Sequence, residues 1–293
     1  MIDWPDKLID SIARRRSVLF LGAGISANAQ NRYGKHPATW EAFLKRIVNN
    51  KSEKIGIHKK EIIDLLENKK YLMACELIVD LIGQNEFGEE AAEEFRRPGY
   101  LPAEIHKTIY GLDSKIVITP NVDKIYDECA LTESHSSVVV KKYYDVDLAK
   151  YLRSNDYLVI KAHGTVDETS KMIFTHKQYS FARYNNASFY KLLDALILTH
   201  TFIFLGCGIN DPDIELTLEN ANFLYEGCLP HYFVTANGSI SGNMQKVLLA
   251  NRNIEVISYD NVSGNHSELL EELQELSQKV DSKRIELAET STW

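Results

Sequence analysis

The chain contains four cysteines, Cys75, Cys129, Cys207 and Cys228, and no two of them form a C-x-x-C pair. That spacing excludes a zinc ribbon and a thioredoxin-type redox pair, and scattered single thiols fit inert positions in a reducing cytoplasm. No apolar run approaches the roughly 20 residues needed to cross a bilayer. The longest, 197–206, is interrupted by Thr199, His200 and Thr201, so no membrane attachment is expected. The opening MIDWPDKLID is acidic and amphipathic, unlike the basic, apolar leader of a secreted protein. Positive charge is also in deficit. With a net charge of −8 at pH 7, strong nucleic-acid binding through a basic surface is not expected. Arg14-Arg15-Arg16 and Lys141-Lys142 read as solvated helix and strand ends. Internal repeats and low-complexity linkers are missing. Ser26 is not followed by the second glycine of a nucleophile elbow, which argues against a Ser-His-Asp hydrolase. No carboxylate cluster has metal-site spacing, since helix capping explains Asp211 and Asp213; no metal is expected.

What is present is ordinary globular composition, 44% apolar and 25% charged over 293 residues, enough chain for one large domain or two modest ones. Apolar runs at 18–21, 115–119, 157–161, 202–206, 232–235 and 254–258 read as strands. Several lack alternation, the pattern of central parallel strands covered on both faces. Helical patterns lie between them at 39–49, 122–131, 189–198, 214–224 and 243–251. The expected fold is therefore α/β, a Rossmann-like doubly wound and mainly parallel sheet. Residues 1–51 and 113–260 are assigned to this domain. The segment 52–112 breaks the rhythm with helical patterns at 61–67, 71–82, 89–95 and 103–110, and reads as a helical insertion closing one side of a cleft. Residues 261–293 carry a charged C-terminal helix with Leu269, Leu270, Leu273, Leu276 and Val280 on one stripe; the stripe packs on the domain or on another subunit.

Polar or glycine-rich sequences follow four of the strands, where ligands bind in such sheets. They are Gly22-Ala23-Gly24-Ile25-Ser26, Thr119-Pro120-Asn121-Val122-Asp123, His163-Gly164, and Gly206-Cys207-Gly208 running on to Asp213. Gly22 and Gly24 permit close approach of a ligand to the main chain, and free N–H groups at a helix start attract an anion. Each element also has a purely structural explanation. Asn121 suits a helix cap and Asp123 a first turn, and His163 suits a buried histidine bonded to a carbonyl. Tyr179, beginning a helix after a short strand at 171–174, reads as a packed aromatic, and His106 as structural.

Taken together, GAGIS, TPNVD, HG and GCGINDPD resemble the sirtuins in order and spacing, over most of the chain from 18 to 258. The resemblance implies an NAD+ site. Gly22, Ala23, Gly24 and Ser26 would contact phosphates and ribose. Asn121 would orient the ribose or the attacking water, Asp123 would face the nicotinamide, and His163 would be the general base. Gly206, Cys207 and Gly208 would form the adenosine loop, with Asn237 as a further adenosine contact.

The chain departs from the protein-deacylating members in lacking the zinc ribbon. Pro120 stands in place of the glutamine before the asparagine, and the residues after Gly24 differ, although Pro37 and Trp40 suggest a related loop closing on the ligand. These departures resemble the divergent sirtuin-like branch of bacterial antiphage defence, whose members hydrolyse NAD+. The resemblance implies an NAD+ glycohydrolase releasing nicotinamide and ADP-ribose, cytoplasmic and homo-oligomeric, partnered by a HerA-type ATPase. An NAD-dependent deacylase or ADP-ribosyltransferase, and a subunit that senses NAD+ or ADP-ribose without turnover, are the alternatives.

Overall fold

The computed structural model describes residues 2–208, 218 and 227–290. Seven strands, β1 (Ser17–Leu21), β2 (Ile116–Thr119), β3 (Val139–Lys142), β4 (Leu158–Lys161), β5 (Thr201–Leu205), β6 (His231–Ala236) and β7 (Ile254–Tyr259), form one sheet in the order β3-β4-β2-β1-β5-β6-β7. Every neighbouring pair is parallel. The chain leaves β1 toward β2 on one side and reaches β5 on the other. The crevice beyond the carboxyl ends of β1 and β5 is thus the topological switch point.

Helices α1 (Asp6–Ala13), α2 (Ala23–Ser26), α3 (Trp40–Asn50), α4 (Ser52–Ile55), α5 (Lys59–Glu67), α6 (Tyr71–Ile82), α7 (Gln84–Phe95) and α8 (Glu104–Gly111) occupy the first part of the chain. They are followed by α9 (Ile125–Glu133), α10 (Leu148–Leu152), α11 (His176–Asn185), α12 (Ala187–Thr199), α13 (Gly242–Arg252) and α14 (Glu268–Thr290). Successive strand residues point to opposite faces, and both faces are apolar. Leu19, Leu21, Val117, Val159, Ile203 and Leu205 pack on one side with α1, α8 and α14. Val18, Phe20, Ile118, Ile160, Phe202 and Phe204 pack on the other with α11 and α12. The leucine stripe of α14 resolves in favour of the domain itself: Leu269, Leu273, Leu276 and Val280 are buried against α1 and α8. A third cluster joins α3 through α7 around Phe43, Phe87 and Ile78 and meets the sheet domain at Val122, Val166 and Phe174.

Three sequence expectations change. β3 is a strand that the pattern did not suggest: it lies at the sheet edge, its residues are half-buried, and its two lysines mask the apolar signal. Edge lysines of this kind also discourage further strand pairing. The strand expected at 171–174 is instead a 3₁₀ turn, Thr169–Lys171, followed by extended chain with no ladder partner among the described residues. The helix expected from 122 starts at Ile125, because the Asp123 carboxylate accepts the Ile125 N–H at 3.0 Å and holds the preceding residues in a turn. The helix expected at 214–224, with Asp211 and Asp213 before it, lies outside the described residues.

One fold element carries a pH dependence. His231, at the start of β6, is buried, and its Nδ1 accepts the Phe202 N–H at 3.1 Å, which requires the neutral ring. Burial pushes its pKa down from 6.5 to about 4. Between these values the unfolded chain binds the proton and the folded chain does not, so stability rises with pH through that window and falls on acidification. The loss attributable to this ring between pH 6.5 and 4 is about 3 kcal/mol. Thermal melts of wild type and His231→Gln across that range should show the variant with the shallower decline; parallel declines would refute the assignment.

Candidate active site

The site begins with main chain. Gly22 N–H donates to Leu205 O and Gly24 N–H to Gly206 O, both at 2.9 Å, stapling the end of β1 to the end of β5. The approach is so close that a Cβ on Gly22 would lie 2.4 Å from Gly206 O, and Gly206 itself has φ +65°. The glycines are therefore required by strand-end packing. This revises the anion-cradle expectation: the Gly22 and Gly24 amides already have acceptors, and Ala23 is the residue of that loop that lines the adjoining cavity.

The TPNVD turn is bolted onto this floor. Thr119 Oγ1 donates to Leu21 O at 2.7 Å and accepts the Asn121 N–H at 3.1 Å. The Asn121 Nδ2 then donates to Gly22 O at 3.0 Å and to Ser26 Oγ at 2.9 Å. Asn121 thus does not cap α9; its side-chain amide belongs to the strand-end crevice, and Ser26 acts by holding it. Beneath the turn, Lys161 at the end of β4 is 1% exposed and is ion-paired with Asp127 at 3.1 Å; its Nζ also donates to the Asp123 carbonyl. Burial raises the Asp127 carboxyl above its usual range, outweighing the pull of Lys161.

His163 follows β4, 7% exposed, and its Nε2 lies 2.6 Å from the Tyr179 hydroxyl. The rings meet edge-on at 88° with centroids 5.1 Å apart. Tyr179 is brought there by α11, which begins with a capping box: Thr175 Oγ1 accepts the Gln178 N–H at 3.1 Å, and Gln178 Oε1 accepts the Phe174 and Thr175 N–H groups.

These groups surround one cavity of about 660 Å³, within the range of small-molecule sites. Ala23, Asn121, Asp123, His163, Gly206, Cys207 and Gly208 all line it. Gly22, Gly24 and Ser26 stand one layer behind as its frame. Asn237, after β6, is bonded instead to Tyr259 O and Asp260 and is not a lining residue. The remaining wall comes from the helical segment and the strap before α11. Trp40 packs its ring edge-on at 5.2 Å from Phe174 and tilted at 6.3 Å from Tyr71, and Lys69 and Lys70 add positive charge. A larger groove of about 950 Å³ between α1 and α14 contains none of the motif residues.

Several of these contributors were not visible in the motifs. Tyr179 reads from the sequence as a packed aromatic, although the T-x-x-Q spacing of Thr175 and Gln178 marks the helix start that aims it. Lys161 is a lone lysine closing an apolar strand, a residue rarely buried without a partner. Lys69, Lys70 and Tyr71 carry no signal by themselves. Among the described residues no group of His, Cys, Asp and Glu is arranged to hold a metal, and no helix is long and apolar enough to cross a membrane.

Comparison with known proteins agrees with this architecture. Residues 115–257 match the SIR2-like domain family. The chain is 27% identical over 233 residues to the NAD(+) hydrolase ThsA of Enterococcus faecium, covering 77% of this chain and 44% of that protein. It is 22% identical over 221 residues to the ThsA of Acinetobacter baumannii, covering 75% and 42%. It is also 23% identical over 262 residues to Defense-associated sirtuin 2 of Bacillus subtilis, covering 88% and 24%. The chain therefore spans less than half the length of these curated relatives. The parallel seven-stranded sheet with its motifs along the strand ends is a Rossmann-like α/β fold, and the segment that matches the SIR2-like domain runs from β2 to β7 of that sheet.

Proposed function

We propose that this chain is an NAD+ glycohydrolase that releases nicotinamide and ADP-ribose. The observation that carries the proposal is the convergence of Asn121, His163, Ala23 and Gly206–Gly208 on one cavity at the switch point. The names of the relatives, NAD(+) hydrolase and defence-associated sirtuin, support the same chemistry.

In this reading the main-chain floor at Ala23 and Gly206 receives the dinucleotide, and Lys69 and Lys70 supply the positive charge its diphosphate needs. Asn121, with its NH₂ end committed to Gly22 and Ser26, presents its carbonyl end to a water or a ribose hydroxyl. Asp123 takes the nicotinamide side. The aromatic wall of Trp40, Tyr71 and Phe174 excludes bulk solvent around the reacting carbon. Nicotinamide is a good leaving group because its ring nitrogen is cationic before cleavage and neutral after it. The protein therefore mainly positions the substrate, removes a proton from the nucleophile at His163 and shields the ribose as positive charge develops.

The finer reading is an antiphage effector that depletes NAD+ when assembled, as a homo-oligomer, with a HerA-type ATPase. One experiment tests both levels: purified chain, with and without the ATPase, is incubated with NAD+ while free nicotinamide and ADP-ribose are followed by chromatography. Equimolar appearance of the two products is expected, faster with the partner present. Intact NAD+ under both conditions would refute the hydrolase, and partner-independent release would refute the regulation.

A further inference from the structure

The wall opposite the motif residues hangs from a loop. Residues 27–39 join α2 to α3, and Ala38, Trp40 and Phe43 at the far end of this connection line the cavity. The near end is tied by the Leu101 N–H, which donates to Gln30 O at 2.9 Å. The far end is tied to a single carboxylate, Glu94 on α7, which is 1% exposed. Its Oε1 accepts the Ala38 N–H at 2.9 Å and the Tyr100 hydroxyl at 2.8 Å. Its Oε2 is ion-paired with Lys35 of the loop at 3.3 Å and with Arg46 of α3. Burial pushes the Glu94 pKa up, but these four partners together hold the carboxyl below its usual range. A buried charge is tolerated only with such pairing. Arg46 also donates to Glu90 O at 3.2 Å and lies over the Phe43 ring at 5.7 Å, so the same knot reaches a second lining residue.

We propose that Glu94 is a positioning residue for the dinucleotide, holding Ala38 and the start of α3 so that Trp40 stands against the ligand. The inference rests on the reading of the cavity as an NAD+ site. Glu94 is not among the lining residues, so it touches no substrate and works at one remove. The transmission is short. Ala38 lies two residues before Trp40, and Thr39 between them caps α3, its Oγ1 accepting the Ala42 N–H at 3.3 Å. The helix therefore starts where the Glu94–Ala38 bond places it, and that start sets the indole edge-on to Phe174 and beside Tyr71. Without the carboxylate the Ala38 N–H loses its acceptor and Lys35 and Arg46 lose their common anion. The loop end is then free to draw back, and the ligand loses one wall while Asn121 and His163 keep their places on the sheet.

Glu94→Met keeps the reach of the side chain and removes every acceptor. Lys35 and Arg46 are 54% and 30% exposed, so both cations can turn to water and the variant is expected to fold. Calorimetry with ADP-ribose should show Kd raised about tenfold over wild type. Trp40→Ala should raise it at least as much, and the double variant should match Trp40→Ala within about twofold, because both changes remove the same wall. A carboxylate that only stabilises the fold would lower the melting temperature, leave Kd of the folded protein unmoved and show no coupling to Trp40. A Glu94→Met Kd within about twofold of wild type, or losses that multiply in the double variant, would therefore overturn the proposal. Should the methionine variant fail to fold, L-lactate incorporated in place of Ala38 provides the second measurement. It exchanges the amide N–H for an ester oxygen; binding about tenfold weaker is expected, and an unchanged Kd overturns the proposal. Wild type that binds ADP-ribose yet releases no nicotinamide would refute the hydrolase reading alone, and the binding cycle would still decide the role of Glu94. Wild type that binds no ADP-ribose would overturn both.

Discussion

Replacing His163 or Asn121 with alanine is expected to abolish nicotinamide release from NAD+ while the chain stays folded. The two losses have different physical origins. His163→Ala deletes the imidazole proposed as general base, together with its hydrogen bond to Tyr179, an effect of about 10²–10⁴-fold on the rate. Asn121→Ala deletes an amide that bridges Gly22 O and Ser26 Oγ. It removes the group that positions the nucleophile and also two partly buried hydrogen bonds worth about 1 kcal/mol each. The melting temperature of Asn121→Ala should therefore fall by several degrees, and that of His163→Ala by a similar amount, without loss of the folded baseline. Chromatography of nicotinamide at matched folded protein is the check. Turnover near the wild-type rate in either variant would remove that side chain from the chemistry.

The second large effect concerns Lys161, a residue that stabilises rather than reacts. Its ammonium is buried between the Asp127 carboxylate and the Asp123 carbonyl. Lys161→Met fits the apolar strand but leaves Asp127 buried without its partner, at a cost of about 3–5 kcal/mol. For a chain of this size that corresponds to a melting temperature lower by about 10 °C. The same substitution frees the turn carrying Asn121 and Asp123, so nicotinamide release should fall in the surviving folded fraction as well. The double variant Lys161→Met with Asp127→Leu removes both charges and should recover most of the stability, yet not the activity, because the Asp123 carbonyl still lacks its donor. Full recovery of both would show that the pair has no part in shaping the site. A single variant melting within about 2 °C of wild type would show that the ion pair contributes little.

The sequence was most legible where burial is two-sided. The runs at β1, β2, β4, β5 and β6 are continuous in apolar residues because helices cover both faces, and their order with the intervening helices leads directly to a parallel doubly wound sheet. It was least legible where a residue's meaning depends on a distant neighbour. The lysines of β3 look solvated until the strand is seen at the sheet edge. Lys161 looks like a strand end until Asp127, on a different element, is found against it. Residues 171–174 have strand composition, and only the absence of a neighbouring ladder among the described residues decides against one. The motif residues Asn121, Asp123, His163 and Gly206–Gly208 could be placed together from topology alone, because a switch point gathers strand ends whatever their separation in sequence. The partner of His163 could not, since Tyr179 arrives on a helix whose direction is fixed by the Thr175–Gln178 capping box rather than by the sheet.

The junction of Gly22, Gly24 and Gly206 has a consequence for how such a pocket diversifies. A surface built from peptide groups offers the same donors and acceptors whatever residues surround it, and the 2.4 Å clearance at Gly22 leaves no room to decorate it. Side chains that can change without disturbing that junction stand on the opposite bank, Trp40, Tyr71 and Phe174 among them. Swapping those rings between related chains should transplant selectivity while the peptide bedrock below remains untouched.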